Sequence, residues 1–188
     1  AQQGDDFIFL TFSAVMSGTY NVAQTIAEEI KKNFPMVHMA VIDSKAGSLG
    51  IGLMAIQAVQ MVNAGLPFSE IVNNILFMTQ HVEHIFSIAD MEWLVRGGRV
   101  NKVVGKAGSI IDIKPILDVE DGYIKVIGAG RGKKKTIQTL INLTKERIQN
   151  FPNQLVGIAH ADDFDTALEI KTKLQEQLGV QKFIIARI

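Results

Sequence analysis

The sequence predicts an α/β fold, with a mainly parallel sheet that carries helices on both faces, followed by a second, smaller α+β domain. Short, continuously apolar segments alternate with helical patterns up to residue 80, which is typical of parallel strands covered on both faces. Beyond residue 80, two apolar segments flank a turn at 118–122 and indicate a hairpin. Hydrophobic residues make up 47% of the chain, which is enough for a packed core. We therefore predict two domains, residues 1–80 and 81–188.

The first domain is predicted to alternate strand and helix. Gly65 and Pro67 end its second helix, because proline cannot continue a helix. Ser69 is expected to cap the helix that follows. The predicted strands are 7–10 and 37–42, and the predicted helices are 22–33, 49–64 and 68–80.

The segment 49–66, which contains the predicted helix at 49–64, is long and apolar enough to raise the alternative of a membrane span. Gln57, Gln60 and Asn63 interrupt it and lie along one side of the helix. A soluble helix that is buried on most of its surface and has one polar stripe fits this pattern better than a membrane span.

The second domain is predicted to mix short strands and helices in a less regular order. A helical turn at 91–95 ends at Gly97 and Gly98, and the segment 133–150 has the apolar period of a helix. The remaining predictions are strands at 85–89, 110–117, 123–127, 155–159 and 183–188, and a helix at 164–178.

Composition excludes several classes of site. Nineteen basic residues balance nineteen acidic residues, so the net charge favours neither a nucleic-acid-binding protein nor one with an acidic surface. The chain has no cysteine, which excludes disulfides and thiolate metal sites. His81 and His84 are three residues apart without a third ligand nearby in sequence, so neither a metal nor a cofactor is expected.

Two strand-to-helix turns of the first domain are built from small and hydroxylated residues. They are FSAVMSGTYNVA at 12–23, with Ser13, Ser17, Gly18 and Thr19, and VIDSKAGSLGIG at 41–52, with Ser44, Ser48, Gly50 and Gly52. Both are expected at the carboxyl ends of parallel strands, where open α/β sheets bind ligands. Hydroxyls and the unpaired amides of helix N-termini suit a carboxylate or a phosphate. Helix capping by Ser17 and Ser48 is the structural alternative, and it remains open.

A third segment, WLVRGGRVNKVVGKAG at 93–108, carries basic residues and no acid: Arg96, Arg99, Lys102 and Lys106. The two glycines permit a sharp turn that leaves Arg99 accessible to a phosphate or an acidic partner. A solvated loop is the alternative, and the glycine spacing excludes a P-loop. A second basic run, Arg131 and 133–135, opens a predicted helix.

Together these segments resemble the DegV family of bacterial lipid-binding proteins. The matching motifs are S-x-x-x-S-G-T-Y, I-D-S-x-x-x-S-x-G-x-G, and L-x-x-G-G-R followed by I-K-P-I-L and D-G. The resemblance implies a DegV-like fold that holds a long-chain fatty acid in a tunnel between the two domains. It also implies a cytoplasmic, non-catalytic carrier that presents the acid to a separate fatty-acid kinase, which phosphorylates the bound carboxylate.

The resemblance further implies roles for single residues. The fatty-acid carboxylate would face Ser13, Ser17, Gly18 and Thr19, beside the turn of Ser44, Ser48 and Gly50, and Arg99 would face the head group or the incoming phosphate. The family commonly has two consecutive serines where this chain has Ser13 and Ala14. Its N-terminal threonine-serine element and its C-terminal histidine are expected to lie outside these 188 residues.

Two other functions stay open at this point. An enzyme of phosphoryl or acyl transfer would need a base, and Asp43 is the only acid in the two turns. Nucleic-acid binding through the basic segments lacks interleaved aromatic residues and a net positive charge. The carrier is favoured, with a fatty acid and a kinase as partners and at most a transient contact with a membrane surface.

Overall fold

The computed structural model describes residues 5–100, 112–148 and 153–188, except for the side chain of Trp93. The chain divides into two compact units, of which the first comprises Ala1–Val82 with Asp121–Tyr123, and the second Glu83–Glu120 with Ile124–Ile188. The predicted domains 1–80 and 81–188 stay a prediction, because compactness does not show that either part folds alone.

The first unit contains two strands and three helices. They are β1 (Phe7–Thr11), α1 (Thr19–Asn33), β2 (Met39–Asp43), α2 (Leu49–Asn63) and α3 (Phe68–Met78). The two strands are parallel, with Phe7 opposite Met39 and Thr11 opposite Asp43. Their carboxyl ends therefore lie at one edge of the sheet, as the sequence predicts.

The core of this unit is aliphatic, as the apolar period of the strands and of α3 requires. Ile42, Ile71 and Ile75 form its buried cluster, and Met54 of α2 is fully buried. The prediction that Ser69 caps α3 is wrong, because Pro67 holds the N-cap position and no side chain bonds there. No helix in the described ranges is long and apolar enough to cross a membrane.

The second unit contains five strands and three helices within the described ranges. They are β3 (Ile85–Ser87), α4 (Glu92–Arg96), β4 (Ile113–Glu120), β5 (Tyr123–Arg131), α5 (Gly132–Arg147), β6 (Leu155–His160), α6 (Phe164–Leu178) and β7 (Lys182–Arg187). One sheet has the order β3-β4-β5 with β3 antiparallel to β4, and β6 pairs with β7 in parallel. Residues 110–111 and 149–150, which the sequence assigned to a strand and a helix, lie outside the described residues.

Two glycine-dependent turns adjoin the strands and helices of this unit. Asp121 and Gly122, both at positive φ (50° and 82°), join β4 to β5, as expected of an Asp-Gly hairpin. Gly179 at φ 68° ends α6, which Asp163 begins by accepting the Thr166 N–H at 3.2 Å. The core contains Ile137, Ile141, Ile158, Ala167 and Leu174. The mixed helix and strand fold class is confirmed.

Candidate functional site

The two hydroxyl-rich turns lie side by side at the edge where β1 and β2 end. The N–H of Ser13 donates to the carbonyl of Ala46 at 2.9 Å, and the N–H of Ser44 is 3.4 Å from the carbonyl of Thr11. These bonds continue the contact between the two strands beyond their last paired residues. The parallel pairing predicted from the sequence therefore brings the two turns together.

The carboxylate of Asp43 also joins the turns. One of its oxygens accepts the N–H of Ala14 at 3.0 Å and the N–H of Lys45 at 3.0 Å. Ala14 belongs to the turn after β1, whereas Lys45 belongs to the turn after β2. Sequence reasoning considered Asp43 only as a base, but its contacts are those of a structural clamp.

The hydroxyls of Ser13 and Ser44 are buried and already hydrogen-bonded within the protein. Ser13 donates to the carbonyl of Gly122 at 2.9 Å. The Ser44 hydroxyl accepts the N–H of Ala46 at 3.1 Å and lies 3.3 Å from the Ala46 carbonyl. A hydroxyl has one proton to donate, so these two side chains have little left to offer an anion.

Ser17 and Thr19 form the accessible part of the first turn. Their hydroxyl oxygens are 2.8 Å apart, and either can be the donor. Only one of the two protons is needed for this bond, so the other can donate to a ligand. Gly18 between them is exposed and takes the N-cap position of α1, and the first turn of α1 contains no acidic residue. This end of α1 therefore combines hydroxyl donors with the partial positive charge of a helix N-terminus.

The second turn leads into α2 at Ser48. This residue is exposed, has φ 50°, and holds the N-cap position without a side-chain capping bond. Gly50 is buried in the first turn of α2, which also lacks an acidic residue. The capping interpretation of Ser48 is therefore not supported by its contacts, and its hydroxyl lies at a second helix N-terminus.

Sequence reasoning missed two residues of the second turn. Lys45 lies with its ammonium 3.6 Å from a carboxylate oxygen of Asp121 and 3.3 Å from the side-chain oxygen of Gln80. Gly47 lies under the ring of Phe12, where an added Cβ would approach the ring to 2.7 Å. A lysine within a turn of otherwise small residues is the sequence feature that could have indicated Lys45. No local sequence pattern predicts that Gly47 packs against Phe12.

The predicted basic loop belongs to the second unit. Arg99 is exposed, and its guanidinium donates to the carbonyl of Gly97. Gly98 makes the sharp turn at φ 73° that the sequence predicts. Arg96 is paired with Glu92 at 2.6 Å, one helical turn earlier. Lys102 and Lys106, also assigned to this loop, lie outside the described residues.

The histidine pair offers no sign of a metal site. The ring of His81 stacks on Phe77, with centroids 3.8 Å apart, and its Nδ1 is 2.7 Å from the Phe77 carbonyl oxygen. Among residues 5–100, 112–148 and 153–188, no three His, Asp or Glu side chains are grouped so that they could hold a metal ion.

Comparison with known proteins gives consistent matches. A family model described as an uncharacterised protein of the DegV family matches residues 1–188. A DegV domain-containing protein of Clostridium perfringens is 31% identical over 98% of this chain and 64% of its own length. The chain therefore spans just under two thirds of that relative.

Solved structures agree with this match. A DegV family protein from Eubacterium eligens, loaded with heptadecanoic acid, has a TM-score of 0.88 and 28% identity, covering 97% of this chain and 66% of that one. A DegV family protein from Ruminococcus gnavus, refined with vaccenic acid, has a TM-score of 0.89 and 25% identity, covering 97% of this chain and 65% of that one.

Proposed function

The chain belongs to the DegV family, and on that premise we propose that it binds one long-chain fatty acid, with the carboxylate at the turns after β1 and β2. In this proposal the protein is a carrier and not an enzyme. It needs no metal or cofactor, because hydroxyls and helix amides hold the head group and apolar contacts hold the tail.

The observation that carries the proposal is the hydroxyl pair of Ser17 and Thr19 at the start of α1. A carboxylate accepts hydrogen bonds only, so it needs donors that the protein has not already used. The N–H of Thr19 already donates to the Ser17 hydroxyl oxygen at 3.3 Å, but the pair still offers one free proton, and the amides that follow Thr19 add donors that lack partners inside the helix. Ser48 and the start of α2 supply the same chemistry from the second turn.

The apolar tail of the ligand supplies most of the affinity. Each buried methylene contributes about 0.8 kcal/mol, whereas the polar site mainly fixes the orientation of the acid. Helix α2 begins at the second turn and is hydrophobic over most of its surface, so it can line the first part of the tail. The fatty acids in the two solved relatives support this ligand class.

We further propose that the bound acid is presented in the cytoplasm to a separate fatty-acid kinase. Arg99 is exposed on a turn made by two glycines, where a guanidinium can hold two phosphoryl oxygens with parallel hydrogen bonds. The enzymatic alternative is disfavoured because Asp43, the acid it would use as a base, already accepts two backbone N–H groups.

The test compares two paired variants in fatty-acid binding. Ser17→Ala with Thr19→Val removes the hydroxyl pair, and Ser69→Ala with Thr25→Val removes hydroxyls of the same types from exposed helical positions of the first unit. We expect the first pair to weaken palmitate binding about 10- to 100-fold, the usual effect of hydrogen bonds to a charged group. The control pair should bind like the unmodified protein.

The ligand itself is checked by extraction and mass spectrometry of purified full-length protein, which should release a fatty acid. A protein that carries no fatty acid and also ignores added palmitate would rule the proposed function out.

A further inference from the structure

The hydroxyl of Ser13 is bonded to a residue 109 positions away. Its oxygen lies 2.9 Å from the carbonyl oxygen of Gly122, and Ser13 is fully buried. Gly122 and Asp121 form the tip of the β4–β5 hairpin. Both residues, together with Tyr123, belong to the first compact unit, so the bond from Ser13 lies within that unit.

Gly122 leaves no room for a side chain. A Cβ at this position would lie 2.5 Å from the Ser13 hydroxyl oxygen and 3.2 Å from a methyl carbon of Val15. Its φ of 82° is in the left-handed region, which favours glycine. The close approach of the tip to the first turn therefore depends on glycine for two separate reasons.

The tip also touches the second turn. The carboxylate of Asp121 is 3.6 Å from the ammonium of Lys45, which follows β2 directly. Ser13 and Lys45 belong to different turns, so the two tip residues contact both sides of the proposed carboxylate site. Their contacts complement those of Asp43, which joins the turns from inside the unit.

The position of Ser13 determines the position of the exposed hydroxyl pair. The carbonyl of Ser13 accepts the N–H groups of Met16 and Ser17, both at 3.0 Å. Ser17 in turn contacts Thr19 at 2.8 Å. A displacement of Ser13 by the tip would therefore displace the hydroxyls that are proposed to hold the ligand.

We infer that the hairpin tip of Asp121 and Gly122 is a positioning element of the carboxylate site, acting through Ser13. This inference rests on the proposed function. It assigns Ser13 a supporting role, with its proton donated to Gly122 and not to the ligand. It also means that a residue far along the chain controls how well the site distinguishes an acid from an uncharged lipid.

The experiment replaces each of two glycines with alanine. Gly122→Ala introduces the clash with Ser13, whereas Gly65→Ala has nearly the same φ, 78°, with nothing within 4 Å. Binding of hexadecanoic acid and of hexadecan-1-ol is measured for both variants. Gly122→Ala should lower the ratio of acid to alcohol affinity about tenfold, as expected when a charge-assisted hydrogen bond is misplaced, and Gly65→Ala should leave it unchanged. General destabilisation of the protein would weaken the binding of both ligands alike and leave the ratio of their affinities unchanged.

Ser13→Ala keeps the test decisive if Gly122→Ala does not fold. Ser13→Ala removes the bond to the tip but introduces no clash, so the inference requires it to lower the acid preference only partly, by less than about tenfold. It also requires the double variant Ser13→Ala/Gly122→Ala, in which the 2.5 Å approach to the hydroxyl oxygen is gone and the 3.2 Å approach to Val15 stays, to recover part of the acid preference that Gly122→Ala loses. Loss of the whole acid preference in Ser13→Ala would overturn the inference and make Ser13 a direct ligand contact. Equal ratios for Gly122→Ala and Gly65→Ala would overturn it as well. If the unmodified protein bound neither hexadecanoic acid nor hexadecan-1-ol, the proposed function itself would be refuted.

Discussion

The carboxylate of Asp43 accepts the backbone N–H of Ala14 at 3.0 Å, so the last residue of β2 holds the turn that follows β1. The same oxygen accepts the N–H of Lys45 at 3.0 Å. One acidic side chain thus fixes the relative position of the two turns that carry the proposed carboxylate site.

Replacing Asp43 tests this clamp. Asp43→Ala leaves two backbone donors without their acceptor, and we expect the free energy of unfolding to fall by about 2–3 kcal/mol. Asp43→Asn keeps an oxygen in the same place and should cost less than half as much. Urea denaturation measures both. ATP turnover by the protein alone that disappears in Asp43→Asn would contradict the structural role and favour the enzymatic alternative.

Arg99 is predicted to act on phosphorylation more than on binding. Arg99→Ala should keep most fatty-acid binding but lower kinase-dependent phosphorylation by about 1.5–3 kcal/mol, the usual contribution of a hydrogen bond to a charged group. Arg96→Ala is the matched control, because its guanidinium is paired with Glu92. Acyl-phosphate formation with the proposed partner kinase is measured beside fatty-acid binding by fluorescence. If Arg99→Ala abolished binding and left phosphorylation per bound acid intact, Arg99 would belong to the carboxylate site instead.

Two glycines of β5 are predicted to differ sharply in their tolerance of alanine. A Cβ at Gly130 would lie 2.5 Å from the Cα and 2.8 Å from the nitrogen of Thr136, which are backbone atoms of α5 that cannot move aside. Gly130→Ala should therefore destabilise the protein by about 3 kcal/mol, at the upper end of overpacking effects. At Gly128 the nearest atom would be 3.9 Å away, on Ile116. Gly128→Ala should change stability by less than about 1 kcal/mol, and similar melting temperatures for the two variants would contradict the prediction.

Arg147 binds two carboxylates of unequal importance. Asp118 is buried and 2.9 Å away, whereas Glu83 is exposed and 3.1 Å away. Partial burial lowers the pKa of Arg147, but the hydrogen bonds to Asp118 and Glu83 raise it overall, so the guanidinium stays charged. Arg147→Ala should cost about 3 kcal/mol because it leaves the Asp118 carboxylate buried without its cation. Glu83→Ala should cost less than about 1 kcal/mol. Chemical denaturation measures the free energy of unfolding of both variants. Equal losses of stability in Arg147→Ala and Glu83→Ala would show that Asp118 is better solvated than its burial indicates.

The pair of Asp6 and His38 is predicted to make stability fall in acid. The backbone N–H of His38 donates to Asp6 at 2.8 Å, and this bond, with that from the His38 ring, lowers the pKa of Asp6. A lowered folded-state pKa stabilises the protein above the unfolded value of about 3.9, and this contribution is lost as the pH falls through the folded value. The melting temperature of the unmodified protein should therefore fall more steeply from pH 5 to pH 3 than that of Asp6→Asn. Asp5→Asn is the neighbouring control and should keep the steep fall.

Local sequence was sufficient to predict an element where its apolar periodicity and its terminal residues indicate the same bounds. The helix Phe164–Leu178 has the bounds that were predicted, because Asp163 caps its start and Gly179 ends it in the left-handed region. The parallel pairing of β1 and β2 also followed from two short apolar segments separated by a helix. These features depend on backbone preference and on burial of an apolar face, and both are expressed within a few residues of the chain.

Tertiary structure alone decided what each polar group of the candidate site contacts. The sequence placed Ser13, Ser17, Ser44 and Ser48 at one sheet edge but could not tell which hydroxyls are already bonded. Ser13 meets Gly122 across 109 residues, while Ser17 meets Thr19 two residues away and stays accessible. The physical reason is that a hydroxyl bonds to whichever acceptor the folded backbone brings within about 3 Å, and no periodicity in the sequence encodes that proximity.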